Sequence, residues 1–311
     1  MDLKHLESFI RIVEFGSLTR AAATLDVSQS LLSRQVRQLE IELGAHLLKR
    51  NGRGVTPTDA GRQLLEHGRG ILRQVEIAKQ QLGDHRGPLG GKVAVGLPPS
   101  VGKLLTVDMV TTFRNRYPGA SISVVEALSS SMLEWLLLGR LDVALLYNPP
   151  LNAKLHYRHV WSEDLYLIGA NLNGHTLPPS VPLSTLGDYP LIVPSHLHSV
   201  RQLIESDAAR HGVQLNVVLE IDSIRALLDL VERGMGYGVL SRHSIQARES
   251  GQGLHAVPIV QPSITTRLMM ATPTQRPTST LTERTMTLIQ NAIEAGTLAP
   301  DGQPDGFSAP T

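Results

Sequence analysis

The chain has 311 residues, of which 41% are hydrophobic, 18% charged and 4% aromatic, with a net charge of +1 and no cysteine. That length suits two or three domains of about 100–200 residues each, and that composition excludes a disordered or fibrous chain. The absence of Cys excludes disulfides, thiolate nucleophiles and Cys-based zinc sites, and the scarcity of aromatics leaves no stacking platform for single-stranded nucleic acid.

The first segment carries Asp2, Lys4 and Glu7 where a signal peptide needs an apolar run, and no stretch nears the roughly 18 uninterrupted apolar residues of a membrane span. A cytoplasmic protein with no membrane partner is expected. Leu3, Leu6, Phe9, Ile10 and Val13 share one face of a helix ending at Phe15. Ser17 is placed to cap a short helix, Leu18 to Leu25, whose Ala21-Ala22-Ala23 run permits close contact. After a tight joint at Asp26-Val27, Ser28 opens a third helix with Leu32, Val36, Leu39 and Leu43 directed inward, and Gly44 ends it.

Two short apolar pieces around the basic, glycine-bearing segment 49–54 then suit a β-hairpin wing. Thr58 caps a long helix in which Leu64, Gly68, Ile71, Val75, Ala78 and Leu82 form a heptad seam, read as a linker that pairs with its own copy. Gly87-Pro88-Leu89-Gly90-Gly91 is a hinge, after which the hydrophobic period changes. Strands at 92–97, 120–126 and 141–146, alternating with helices at 102–116 and 130–139, give a parallel sheet. Two strand-like runs within 155–169 cross into a second lobe with strands at 191–193, 217–221 and 238–240 and helices at 199–211 and 223–233. A return strand at 265–271 and a closing helix at 281–295 complete the first lobe.

The fold class is therefore α+β and multidomain. Residues 1–58 form a winged helix-turn-helix, 59–88 a linker and dimerisation helix, and 89–296 a two-lobed α/β domain. Lobe I takes about 89–161 and 268–296, lobe II about 162–267, and 297–311 make a disordered tail rich in Pro, Gly, Asp and Ser.

The third helix has the two-faced character that the major groove demands. With its apolar stripe inward, steps of about 100° per residue put Ser30, Arg34 and Arg37 outside and Gln29 and Ser33 on the flank. Arg34 suits a guanine edge or a phosphate, Gln29 an adenine edge, and the serines either. Arg50 and Arg53 of the wing suit the backbone or the minor groove. Between Ser28 and Arg73 there are eight basic and four acidic residues, a local net of +4 that suits phosphate contact.

The ordered run Phe9, Gly16-Ser17-Leu18-Thr19, Ala21-Ala22-Ala23, Leu25, Val27-Ser28-Gln29-Ser30, Leu32-Ser33-Arg34-Gln35-Val36, Leu39-Glu40, Leu43-Gly44, Leu47-Leu48, Arg50 and Val55-Thr56-Pro57-Thr58-Asp59-Ala60-Gly61 resembles the LysR-type transcriptional regulators. Leu138-Gly139-Arg140-Leu141-Asp142-Val143-Ala144 and Gly234-Met235-Gly236 extend the likeness towards the branch containing nitrogen-assimilation-control regulators. Two departures stand out. Ser30-Leu31 replaces the family's usual Pro-Ala, and Leu48 a customary Phe.

The resemblance implies a second domain like periplasmic solute-binding proteins, with a small-molecule effector between the lobes; the alternative is a DNA-binding regulator whose second domain is effector-independent. It also implies operator DNA, RNA polymerase and further copies of the chain, as dimer or tetramer, as partners. Ligands of parallel α/β sheets sit beyond the strand carboxyl ends, against helix N-termini. This picks out Pro99, Ser100 and Val101, then Ser129, Ser130 and Ser131, then Pro194, Ser195 and His196, with Ser223 and with Tyr147 closing one side. Such donors favour a carboxylate or other anion, with Arg201 or His198 assisting, although capping alone also explains each serine.

An enzyme is disfavoured. Gly87 to Lys92 lacks phosphate-loop spacing, with Val93 where magnesium needs Ser or Thr, and no Gly-x-Ser-x-Gly elbow occurs. His156 with His159, and His196 with His198, lack the further ligands a metal requires. No cofactor and no metal is expected.

Overall fold

The computed structural model describes residues 1–51, 54–83, 90–170, 177–242, 244, 253–275 and 277–297. The chain divides into two compact units near residue 87.

In the first unit, short polar side chains fix where helices start. Asp2 caps α1 (Leu3–Phe15), Ser17 caps α2 (Leu18–Leu25), and Ser28 caps α3 (Gln29–Leu43) by accepting from the Leu31 N–H at 3.2 Å. Each cap satisfies an amide that has no partner within the helix. Gly44 ends α3 at φ 64°, a left-handed turn that glycine adopts without a Cβ clash.

The three helices enclose a core of Leu6, Phe9, Ile10, Ile12, Leu18, Ala21, Ala22, Leu32, Val36 and Leu39. Two expected core residues stand outside it: Leu3 is 41% and Leu43 44% exposed. Leu3 begins α1 and Leu43 ends α3, each about one turn beyond the last buried position, Leu6 or Leu39. The periodicity continues while the core beneath it stops. Conversely, α1 is buried over more than the predicted stripe, since Ile12 and Ser8 are also enclosed. The Ser8 hydroxyl donates to Gln35 Oε1 at 2.7 Å and ties α1 to α3.

Strands β1 (Leu48–Asn51) and β2 (Gly54–Pro57) form the antiparallel wing, with Leu48 opposite Pro57. Two contacts fix it to the helices. The Val55 N–H donates to Gly16 O at 2.9 Å, and a Cβ on Gly54 would stand 2.5 Å from that same oxygen, so only glycine fits there. Glu40 on α3 accepts from the Leu47 N–H at 2.7 Å and the Leu48 N–H at 3.3 Å.

Helix α4 (Asp59–Gly83) follows, with the Thr58 hydroxyl accepting from the Gly61 N–H at 3.0 Å. Its seam is divided in use. Leu64 and Ile71 pack on the helical core, and a Cβ on Gly68 would stand 2.8 Å from Leu6 Cδ1. Half-buried Val75 and exposed Ala78 carry the stripe onward, while the Leu82 side chain lies outside the described residues.

In the second unit, β3 (Gly91–Leu97), α5 (Pro99–Arg116), β4 (Ala120–Glu126), α6 (Ser129–Leu137) and β5 (Val143–Tyr147) build a parallel sheet in the order β4-β3-β5. Alternate residues of β3 serve opposite layers, as the two-residue period of a strand requires. Val93, Val95 and Leu97 pack with Leu105, Met109 and Phe113 of α5, whereas Ala94 packs with Met132 and Leu136 of α6.

The two runs expected at 155–169 are one unbroken strand, β6 (Leu155–Ala170). No Gly or Pro interrupts Leu155 to Ile168, and nothing in that stretch supplies a turn. Two short elements follow, β7 (Val181–Pro182) and β8 (Leu191–Val193), then α7 (Ser199–Arg210), β9 (Val217–Glu220), α8 (Ile224–Glu232), β10 (Tyr237–Ser241), β11 (Leu254–Val260), β12 (Thr265–Pro273) and α9 (Thr280–Ala292). β6 pairs with β12 from Leu155 to Asp164, and with β10 and β11 from Leu165 onward. Lobe II adds β8 and β9, parallel to one another, beside β10. β11, absent from the sequence reading, buries Val257 and Ile259 against β6 and β7, its alternation obscured by Pro258. Most of the expected tail lies outside the described residues.

The Glu40 carboxylate receives two backbone donors, the Leu47 and Leu48 N–H groups. Glu40→Ala should destabilise the first unit by about 1–3 kcal/mol, while Glu40→Gln, which keeps an acceptor oxygen, should lose much less. Chemical denaturation checks this, and equal losses from both variants would contradict the assignment.

Candidate nucleic-acid face and ligand cleft

Gln29, Ser30, Arg34 and Arg37 are exposed on α3, and Ser33 is half-buried on its flank. Inward on the same helix lie Leu32, Val36 and Leu39, all buried. The face therefore offers two guanidinium forks and an amide, held at fixed spacing by an immobile inner side. The Ser30 hydroxyl shares a hydrogen bond with the Ser28 hydroxyl at 3.0 Å, which orients the leading turn. Arg50 lies in β1, and Arg53 lies outside the described residues.

Within the second unit, a cleft of about 660 Å³ opens between the lobes. Pro99, Ser100, Ser129, Tyr147 and Ser223 line it. The other expected residues lie outside its lining. Val101 is buried in the core above β3, and Pro194 is also buried. The Ser130 hydroxyl donates to Leu197 O at 3.5 Å, and Ser131 is half-buried on α6. Ser195 donates its N–H to Asp222 Oδ1 at 2.9 Å, and His196, 68% exposed at its side chain, pairs with Glu205. Arg201 is buried, pairs with Glu205 at 2.6 Å and is not in the cleft lining. Burial pushes Glu205 up, but the hydrogen bond and charge of Arg201, with His196, hold it below the usual carboxylate range.

The lining also contains Lys103, Glu163, His198, Asp222, Arg225, Asp229 and Thr266. Of these, sequence reasoning singled out only His198. Asp222 had a signal, being the polar residue just before the Ser223 cap. Arg225 and Asp229 are spaced i, i+4 on α8, which places them together. Glu163 had none, since its position depends on β6 being continuous.

Among the described residues, four helices, α5, α6, α7 and α8, begin at this cleft, and the lobes treat them differently. On lobe II, His198 Nδ1 accepts from the Val200 N–H at 3.3 Å, and the Ser223 hydroxyl accepts from the Ala226 N–H at 3.4 Å. On lobe I, α5 has no side-chain cap, and the Ser129 hydroxyl at the start of α6 accepts instead from the Tyr147 N–H at 2.9 Å. Burial first, then the neighbouring Glu163 carboxylate, push the Tyr147 hydroxyl far above its ordinary range, so it remains a donor. The Asp222 carboxylate is held below the usual range by the hydroxyl and backbone N–H of Ser195 and by His198. Burial lowers His198, with Asp222 opposing that shift in part.

Comparison with known proteins gives a consistent result for both units. Residues 3–62 match the family described as "Bacterial regulatory helix-turn-helix protein, lysR family", and residues 86–294 match the "LysR substrate binding domain". The nitrogen assimilation regulatory protein nac of Klebsiella aerogenes is 35% identical over 77% of this chain and 78% of its own length. Its Escherichia coli (strain K12) counterpart is 30% identical over 95% and 96%. Among solved structures, a variant of full-length OxyR from Pseudomonas aeruginosa superposes with a TM-score of 0.71 at 20% identity, covering 98% of this chain and 99% of that one. CbnR complexed with its target DNA gives 0.67 at 21% identity, covering 94% and 100%. At these identities the likeness establishes the fold.

The His198 cap works in its neutral form, because a protonated Nδ1 has no lone pair for Val200. Its folded pKa is lowered, so as pH falls the unfolded chain takes up the proton first. The stability contributed is complete above the unfolded value of about 6.5 and declines as pH drops below it towards the lowered folded value. His198→Asn keeps a capping oxygen without titrating there. Its midpoint of thermal unfolding should fall less steeply than the parent's between about pH 6.5 and 5; parallel curves would show that His198 carries none of the acid sensitivity.

Proposed function

The chain belongs to the LysR-type transcriptional regulators, in which a DNA-binding helix-turn-helix precedes a substrate-binding domain, and we propose that α3 reads an operator while the cleft takes a small effector that modulates that reading. Regulation of transcription is thus its activity, and we read the second domain as a sensor without catalysis. The observation that carries the proposal is the pairing of an exposed polar and basic face on α3 with a buried apolar one, in a chain that also holds a cleft with charged and hydroxyl side chains set among apolar ones.

In this reading Gln29, Ser30, Ser33, Arg34 and Arg37 supply base and phosphate contacts, with Arg50 and Arg53 on the backbone or minor groove. Residues 1–58 form the reading head, 59–88 the linker and 89–296 the sensor. Val75 and Ala78 extend the α4 stripe beyond its intramolecular half, which supports pairing of two copies into a dimer or tetramer on a pseudo-palindrome. The regulator acts in the cytoplasm and signals to RNA polymerase. Among the described residues, no helix is long and apolar enough to cross a membrane.

The effector proposed is a small carboxylate that also carries hydrogen-bond donors. Helix N-termini with Lys103 and Arg225 attract the anionic part, whereas Glu163, Asp222 and Asp229 ask for donors. Occupation shifts the regulator only to the extent that the ligand binds one arrangement of lobes or subunits better than the other.

Arg34→Ala should weaken binding to the preferred operator by about 1–3 kcal/mol if it bonds a base, with little change on random duplex. If it touches phosphate alone, both should weaken alike and the salt dependence should flatten. Mobility shifts of parent and variant over a salt series measure this, and unchanged operator affinity would remove Arg34 from the reading face.

A further inference from the structure

The leading turn of α3 carries an apolar side chain towards solvent. Leu31 is 37% exposed, one residue before the fully buried Leu32. With Leu32 inward, steps of about 100° bring Leu31 beside Arg34 and Gln38, both also exposed. The surroundings hold it there. Its N–H is bound by the Ser28 hydroxyl at 3.2 Å, and that hydroxyl also engages Ser30 at 3.0 Å.

Leu31 is neither in the helical core of the first unit nor among the half-buried side chains packed against it. In the major groove the apolar group on a base edge is the C5-methyl of thymine, and recognition helices approach base edges with their N-terminal residues. We propose that Leu31 is a specificity-determining residue that packs on a thymine methyl of the operator. The assignment rests on the reading of α3 as the DNA-reading helix. It gives the Ser30-Leu31 departure a consequence, because a leucine reaches further than the alanine usual in the family and covers a methyl group.

The test uses the full chain. A preferred duplex is selected from a random pool, and each thymine is then replaced in turn by uracil, which pairs identically but lacks the methyl. Binding is measured for the parent and for Leu31→Ala, which favours helix and so keeps α3 intact. At one or more positions uracil should weaken the parent about fourfold, the value of one buried methyl-sized group, and leave Leu31→Ala unaffected. Affinity for random duplex should match between the two proteins. Uracil effects that are equal in both proteins, or absent from both, overturn the proposal while leaving operator reading in place. Failure of the parent to select any sequence overturns the DNA-reading assignment itself, and this inference with it.

Discussion

The second unit depends on one strand serving two sheets. β6 gives its first ten residues to β12 and its remainder to β10 and β11, so the chain passes between lobes at Asp164–Leu165. The return passage, Ile264–Thr265, runs beside it. The Leu165 N–H donates to Ile264 O at 2.8 Å, and the Thr265 hydroxyl donates to Asp164 Oδ1 at 2.6 Å. Two adjacent, hydrogen-bonded crossings between separate cores are the arrangement on which a hinge is built. Glu163 and Thr266 are the immediate neighbours of these crossings, and both line the cleft. A ligand held there touches the segments that would have to bend.

The first unit solves a different problem, which is to keep one helix face rigid while leaving the other bare. Burial of Leu32, Val36 and Leu39 fixes the rotation of α3, and the Ser8–Gln35 bond fixes it against α1. The Glu40 carboxylate then carries that rotation to the wing through two backbone amides. No basic residue is spent on these internal ties, so Arg34 and Arg37 keep their donors for phosphate or base edges. Glu40 was visible in the sequence only as part of a family signature, yet it is the acidic residue that couples the two reading elements.

What could be read from the sequence was what local physics decides. Ser17, Ser28, Thr58 and Gly44 mark helix ends because capping is a property of a few neighbouring residues, and the apolar period of α3 follows from its helical turn alone. Exposure of Leu3 and Leu43 was hidden because periodicity fixes direction but not where the underlying core ends. β6 and β11 were hidden for another reason: a strand shared by two sheets is half-buried on different sides along its length, and Pro258 breaks the alternation of β11. The cleft serines were chosen by strand-end logic, which located Pro99, Ser100, Ser129 and Ser223. The same logic had no means of supplying Glu163 or Thr266, whose placement is set by pairing between residues about a hundred positions apart.

The lobes also differ in how they meet a ligand's charge. Lobe II satisfies its helix N-termini with His198 and Ser223 and surrounds them with Asp222 and Asp229. Lobe I leaves α5 without a side-chain cap and turns the Ser129 hydroxyl away to serve Tyr147. At the start of α5, Pro99 has no N–H and the Val101 and Gly102 N–H groups both donate to Pro98 O, so Ser100 carries the first-turn amide without a partner inside the helix. Each wall carries both signs of charge: Lys103 with Glu163 on lobe I, and Arg225 with Asp222 and Asp229 on lobe II. A molecule that touches both walls would favour the arrangement of lobes in which they approach, and that preference is what would turn binding into a signal.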